Sequence, residues 1–557
     1  MIKSPDCRVV IYNYTKREGS NLHSGLDPFK VKIIEITEDV LNVSTSKSKA
    51  NASGNFNITL APSNNFISSI SSGSWVVIFM DEKKIEDSSL TKMDDSVKFI
   101  GRIDSVRATR SVDQSTGTFI TSYTLMGRDW CSVLESMIYI DTISANLPAF
   151  ASGQGFNGGV GQVTRFAANT KITELYSKKI PSSTDIAEAI FDIWGKQNSA
   201  LNIAGAVDKD IAERFLPTSP LHIPIELSKA MGLKVPTDKI SDVIERSYGV
   251  LVDEGTYDNK HIEAVGAVDF RYILGSNSLW QMLNSTVSVS GINEIFGDLD
   301  FLSGTPKMMV YKRVRPFSIS KKNQNNEIAK GIVSSFFLLP KTIIDLEDIV
   351  QLDIGTNWAD IVNFIEVMPD QSMFPFAKNA TVALKAQNAI YSTASYAISG
   401  FKPMFFNFTF FPPKSTKIPD PYGHKGWLPV LKEWYFDTHK MLNGAISISG
   451  ISGHIAVGSN IIFPAKAISE ANFIDVTNIS TLTDNKESYI LAHVESVSNV
   501  FTVRNNGERS FMTTISFVRG LITDKDGKRN LNGEDSYGVD SNLSSSDPQN
   551  KNTIKRI

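Results

Sequence analysis

The sequence predicts a β-rich, multidomain α+β protein, with two related antiparallel β-domains, each a β-barrel or a sandwich, on either side of a partly helical middle region. Three observations carry that prediction. Short apolar segments with period-two alternation, separated by Gly, Ser and Asp turns, fill both ends of the chain. One strand–turn–strand pattern occurs twice, over 97–128 and again over 489–520. At 557 residues the chain is also too long for a single core.

The repeated pattern is specific in its order. The first copy runs Phe99-Ile100-Gly101-Arg102-Ile103-Asp104-Ser105-Val106, then a polar turn, then a strand opened by Phe119 and containing Tyr123. The second runs Tyr489-Ile490-Leu491-Ala492-His493-Val494-Glu495-Ser496-Val497, a polar turn, then a strand opened by Phe511 and containing Ile515. An acid-Ser-Val triplet ends the first strand each time. A similar strand leads into each copy, Gly73-Ser74-Trp75-Val76-Val77-Ile78-Phe79 and Gly458-Ser459-Asn460-Ile461-Ile462-Phe463, at different spacing.

Composition narrows the function classes. Apolar residues at 41% permit ordinary cores, and 21% charged residues argue against a wholly disordered chain. The net charge of −3, from 56 basic and 59 acidic residues, gives no electrostatic support to stable nucleic-acid or membrane binding. Two cysteines, Cys7 and Cys131, make no disulfide framework and are expected as reduced thiols. Neither a secretory h-region nor a run of 18 apolar residues occurs, so a soluble protein without a transmembrane segment, made in a reducing compartment, is expected.

Taken in order, residues 1–145 read as the first β-domain. Arg8 to Tyr14 and Lys30 to Val43 are rich in Val and Ile, and Asn55 to Leu60 alternates strictly. Asp129 can cap a short helix through Leu134. Residues 146–275 read as a Gly-rich linker and a helical domain. The linker holds the letters of a dinucleotide fingerprint at Gly153, Gly155 and Gly158, but lacks the preceding strand and following helix which that fingerprint needs. Helices are predicted from Ser183 to Gly195 and from Thr237 to Gly249.

Residues 276–400 read as a central α+β domain. Ser278 caps a short helix over Leu279 to Leu283, followed by Asn293 to Asp298 and a strand from Lys307 to Phe317. Residues 401–525 read as the second β-domain. The aromatic strand from Met404 to Phe411 is expected to be covered on both faces or to lie in an interface. A helix is predicted from Trp427 to Asn443, with Leu431, Trp434, Tyr435 and Leu442 as its apolar positions and Gly444 at its end. Residues 526–557 form a polar tail, expected to be flexible.

Catalytic and ligand motifs are sparse. There is no His-Glu-x-x-His, no Gly-x-Ser-x-Gly and no P-loop, and the seven histidines have no metal-ligand spacing. No catalytic residue, cofactor or metal site is assigned. Paired acids, Glu294 with Asp298 or Asp345 with Asp348, keep a glycoside-hydrolase reading open, because that chemistry needs only two suitably separated carboxylates. Against it, Arg313 and Arg315 lie nearby as candidate ion-pair partners.

The run from Ser278 to Phe317 resembles the central signature of phage tail baseplate hub proteins. The residues that carry the resemblance are Trp280, Asn293, Glu294, Phe296, Asp298, Arg313, Pro316 and Phe317. Further pieces fall in the family's order: Asp348 to Val367, Pro421 to Tyr435, Gly444 to Gly458, and Tyr489 to Gly520. Residues 140–275 match poorly. The resemblance implies two tube-protein-like barrels per chain, a homotrimer, and a role as adaptor between a six-fold tail tube and a three-fold central spike. It implies a virion location in the tail baseplate, after synthesis in a bacterial host's cytoplasm. Tube, spike and other baseplate proteins are the implied partners, with a tape measure protein as a further candidate. Phe99, Asp104, Phe119, Tyr123, Tyr489, Glu495, Phe511 and Ile515 are then the expected ring contacts. A wall-degrading tail enzyme using an acid pair, and a glycan-binding tail receptor protein using Phe405 to Phe411, are the alternatives.

Overall fold

The structure is a computed structural model that describes residues 4–16, 29–112, 119–136, 224–232, 248–252, 278, 280–281, 284, 293–301, 304–314, 339–369, 389–408, 428, 431–432, 434–436, 438–467, 489–504, 506–523 and 525–526. It is β-rich, with a large, mainly antiparallel sheet and short helices.

Seven strands form the N-terminal part: β1 (Asp6–Lys16), β2 (Phe29–Ile36), β3 (Val40–Ser48), β4 (Asn55–Leu60), β5 (Trp75–Asp81), β6 (Val97–Val112) and β7 (Phe119–Asp129). Three follow in the middle: β8 (Tyr248–Val252), β9 (Asn293–Asp300) and β10 (Lys307–Val314). The C-terminal part contains β11 (Lys341–Ile343), β12 (Ile349–Gly355), β13 (Phe364–Pro369), β14 (Ala389–Tyr391), β15 (Pro403–Phe408), β16 (Leu442–Ser449), β17 (Asn460–Pro464), β18 (Tyr489–Val503) and β19 (Arg509–Thr523).

The duplication is visible in the strand order. The first half pairs as β3-β4-β7-β6-β5-β1, with β2 added at the end, and the second pairs as β12-β16-β19-β18-β17-β11. Ranked by chain position within each half, both orders are 2-3-6-5-4-1. The halves differ where β1 meets β5 antiparallel but β11 meets β17 parallel. They are fused edge to edge: β18 pairs with β3, making one 13-stranded sheet. The second half takes β11 and β12 from residues 341–355, a stretch expected in the central domain.

Strand β5 is buried on both faces. Val76, Ile78 and Met80 join Val9, Ile11, Phe56, Ile58 and Phe99 in one core, while Trp75, Val77 and Phe79 join Val10, Ile100 and Trp130 in another. A third core, holding Ile446, Ile461, Phe463, Ile490, Val494, Ile515 and Phe517, belongs to the second half. Strand β9 is wedged between the last two. Its Ile295 and Leu299 enter the Trp75 core, and its Phe296 enters the Ile515 core. Gly297 permits this approach, because a Cβ there would lie 2.2 Å from the Cys131 Sγ.

Several predicted elements need correction. Tyr248 and Gly249 lie in β8, parallel to β10, and do not end a helix; the β-branched Val250 and Val252 favour that strand. The predicted 427–443 helix gives way to a 3₁₀ turn at Thr438–Lys440, and Leu442 and Gly444 are already in β16. Gly444 serves close strand approach, since its Cβ would meet the Asp353 carbonyl oxygen at 1.9 Å. Strand β15 is unevenly covered among the described residues, in keeping with the interface alternative: Phe406 is buried on Tyr435 at 5.4 Å, whereas Phe405, edge-on to Phe364 at 6.4 Å, is 53% exposed. The Ser278 cap is present as a reciprocal box. Its hydroxyl accepts from the Gln281 N–H at 3.1 Å, and the Gln281 side chain accepts from the Ser278 N–H at 3.0 Å. The Gly153–Gly158 stretch, the 183–195 helix and the 526–557 tail, apart from Asp526, lie outside the described residues.

Candidate assembly site

The two acid-Ser-Val triplets mark the same structural event. In the β6–β7 pair the register slips between Ile103 and Ser105, which leaves Asp104 as the bulged residue. In the β18–β19 pair it slips between Val494 and Ser496, which leaves Glu495 bulged. A bulge bends its strand and re-aims the residues beyond it. Here it divides each strand into a near half, paired to β5 or β17, and a far half beyond those partners. A second bulge is duplicated as well. The β3–β4 register slips between Val40 and Asn42, and the β12–β16 register slips between Ile349 and Gln351, so Leu41 and Val350 correspond.

Each bulged acid meets an arginine from the partner strand. Arg128 Nε donates to Asp104 Oδ2 at 2.9 Å, and Arg519 Nη2 lies 3.5 Å from Glu495 Oε1. Arg519 sits one register position further along than Arg128 and reaches back through a left-handed φ of 56°. The two Phe residues are less equivalent than their spacing suggests. Phe119 pairs with Val112 and is 64% exposed, while Phe511 pairs with Phe501 and is buried.

Behind Glu495 lies a buried polar cluster joining both halves to the β9 wedge. The Lys49 ammonium lies 2.8 Å from Glu294 Oε2, 3.1 Å from Glu495 Oε1 and 3.0 Å from His493 Nε2. His493 Nδ1 in turn contacts Asn460 Oδ1 at 3.0 Å. Asp298 accepts from the Val457 N–H at 2.7 Å and lies 3.3 Å from His454 Nε2. Nearby, Lys47 is ion-paired to Asp129, which also accepts from the Gly54 and Cys131 amides. Burial opposes the Lys47 charge, but Asp129, together with Cys131 and Asp298, more than offsets this and holds the ammonium above its ordinary value.

Of the residues that carry the resemblance, Glu294, Phe296 and Asp298 are buried where the β9 wedge meets the two halves. Glu294 and Asp298 are buried in ion-pair and hydrogen-bond partnerships, Phe296 stacks on Tyr311 at 5.2 Å, and Trp280 packs against the Trp75 core. The backbones of Asn293 and Arg313 lie in paired strands β9 and β10, with Arg313 opposite Glu294. Pro316 and Phe317 lie outside the described residues. The structure thus gives Glu294 the partner Lys49, a residue that no sequence motif singles out. Of the expected ring contacts, Phe99, Tyr489, Phe511 and Ile515 are buried in the subunit's own cores. Tyr123 packs edge-on to Phe66 at 5.3 Å. Asp104, Glu495 and Phe119 retain exposed surface.

Enclosed space at the join is small. A cavity of about 30 Å³ lies among Lys47, Lys98, Asp129, Asp298 and His454, room for about one water molecule. Among the described residues no group of three or more His, Cys, Asp or Glu side chains is arranged to hold a metal, and no helix is long and apolar enough to cross a membrane.

No protein-family model and no curated protein sequence matches the chain. Among solved structures it is similar to two tail proteins and to a PdpA-VgrG complex. A tail protein from Neisseria meningitidis MC58 matches at 8% identity and a TM-score of 0.42, over 92% of this chain and 96% of that one. The 43 kDa tail protein of prophage MuSo2 from Shewanella oneidensis matches at 12% identity and a TM-score of 0.37, over 92% and 98%. A Francisella PdpA-VgrG complex matches at 10% identity and a TM-score of 0.36, and this chain spans 58% of that one. With TM-scores below 0.5, these likenesses carry no functional argument.

Proposed function

We propose that this chain is a structural hub of a phage tail baseplate, a homotrimer that adapts a six-fold tail tube to a three-fold central spike. The observation that supports this reading is the duplicated strand order within one sheet. Two like units per chain give three chains six like units, which is what a three-fold object needs to meet a six-fold ring. Within the stretch that resembles the hub signature, Glu294, Phe296 and Asp298 lie in the β9 wedge between the two units, which supports a role in assembly. Tube, spike and other baseplate proteins are the partners in this reading, a tape measure protein is a further one, and the virion tail is its place.

A catalytic use of Glu294 and Asp298 fits the site poorly. Glu294 is tied to Lys49, Asp298 accepts a backbone amide, and both side chains are about 7% exposed. Such acids are structural counter-charges with little access for a polymer substrate. The test is native mass measurement of the purified protein, alone and with a tail tube protein. The expected species has three times the 61.4 kDa chain mass and caps hexameric tube rings. A monomer that stays monomeric at high concentration and ignores the tube would refute the proposal.

A further inference from the structure

The junction inside the chain has an unfilled twin. The far half of β18 is paired on its outer edge with β3, from Ser496 opposite Ser48 to Thr502 opposite Asn42. By the duplicated topology, β6 corresponds to β18 and β12 corresponds to β3. Among the described residues, the far half of β6 has no partner on the matching edge, and β12 ends the sheet with one free edge. These two edges cannot be the pair already made within the chain, because β3 and β18 are its members.

We infer that the far half of β6 in one chain pairs antiparallel with β12 of a second copy, reproducing between chains the β18–β3 junction seen within one. This rests on the hub reading above only for the count of three; the pairing itself follows from the duplication. The bulges set the register. Asp104 aligns with Glu495 and Leu41 with Val350, which places Arg107 opposite Gly355, Ala108 opposite Ile354, Thr109 opposite Asp353, Arg110 opposite Leu352 and Ser111 opposite Gln351 in the second copy.

The side chains support that register. Within the chain, the Asn42 amide donates to the Thr502 hydroxyl at 2.8 Å; the corresponding pair is Gln351 and Ser111, again an amide and a hydroxyl. The polar Asn499–Thr45 contact, at 3.3 Å, corresponds to Ala108 and Ile354, where both members have become apolar. Cross-strand pairs that change together in this way keep their mutual fit. Charge agrees: the free β6 segment carries Arg107 and Arg110, while β12 carries Asp353 and the 3₁₀ turn leading into it carries Glu347 and Asp348. Burial agrees as well. At the filled junction Phe501 and its partner Phe511 are buried in the first half's core, whereas at the open one Arg110, which takes the place of Phe501, is exposed, and so are Val112 (51%) and Phe119 (64%) at the hairpin tip.

Directly opposed residues in antiparallel strands have Cα atoms about 4.5–5.5 Å apart, within disulfide range. A chain carrying Thr109→Cys and Asp353→Cys, both at exposed positions, should therefore form interchain disulfides under mild oxidation. The native Cys7 and Cys131 are buried and do not compete. The expected result is a covalent ladder that stops at the closed ring. A Thr109→Cys, Val350→Cys chain, three positions out of register, should give no ladder. An equimolar mixture of the two single variants should give dimers only. Native mass is read on the same samples. A full-sized oligomer with no in-register disulfide overturns this junction while leaving the hub reading intact; a monomer with no disulfide overturns both.

Discussion

Lys49 ties the two halves to the β9 wedge. It stands in β-rich surroundings with Glu294, Glu495 and His493 around its ammonium. Breaking a buried ion pair by removing one partner costs about 3–5 kcal/mol, because the other charge is left buried. Lys49→Met should therefore lower the unfolding free energy by about 3 kcal/mol in urea titration. The double variant Lys49→Met, Glu294→Leu should recover part of that loss; a double variant as unstable as the sum of the singles would contradict the pairing. Lys98 makes a second bridge, from β6 to the Ile451 and Gly453 carbonyls of the other half. Burial lowers its pKa from 10.5 to about 8, against the pull of Asp81, Asp95 and Asp94. Between pH 8 and 10.5 the folded chain thus binds fewer protons than the unfolded one, so this group makes stability rise with pH. Lys98→Met should abolish that rise, as read by chemical denaturation across the window. At this scale the sequence was only half legible. Glu294 and Asp298 stood out as an acid pair, yet Lys49, which answers Glu294, is far away in the chain and carries no local signal.

The bulged hairpins are the elements that repeat most faithfully, and they make different demands on their residues. The Asp104–Arg128 pair is partly exposed, so Asp104→Ala should cost less than about 1 kcal/mol. Gly127, beside it, has no such latitude. A Cβ there would lie 2.0 Å from the Arg102 carbonyl oxygen and 2.6 Å from the Phe56 ring. Gly127→Ala should destabilise by about 2–3 kcal/mol, with strand separation as the alternative to strain; thermal melting of both variants checks the contrast. Acid-Ser-Val was readable as a motif because a bulge needs one extra residue at a fixed place. The slip itself was not readable, since only pairing partners reveal it. The same limit explains the misread elements. Tyr248 and Leu442 fit helical spacing locally, with Gly249 and Gly444 as apparent stops, and the strand partners β10 and β12 decided otherwise. The Ser278 cap was legible because its chemistry is complete within four residues.

For the whole molecule, the duplication was visible as two similar hairpins, but the shared 13-stranded sheet was not. Its join, β18 on β3, links residues more than four hundred positions apart and leaves no local trace. Fusion of the halves makes them one mechanical body, with β9 as the wedge and the open β6 and β12 edges at its flanks. An assembly built on such a body holds like units at one radius, because each junction repeats the geometry of the last. The most direct test is electron microscopy of the assembled protein with no symmetry beyond three-fold imposed. The expected image is a ring of six similar units in which the β6–β7 and β18–β19 hairpins superpose and sit at the same radius from the axis. Hairpins at clearly different radii, or a ring whose two halves present unrelated faces, would contradict it.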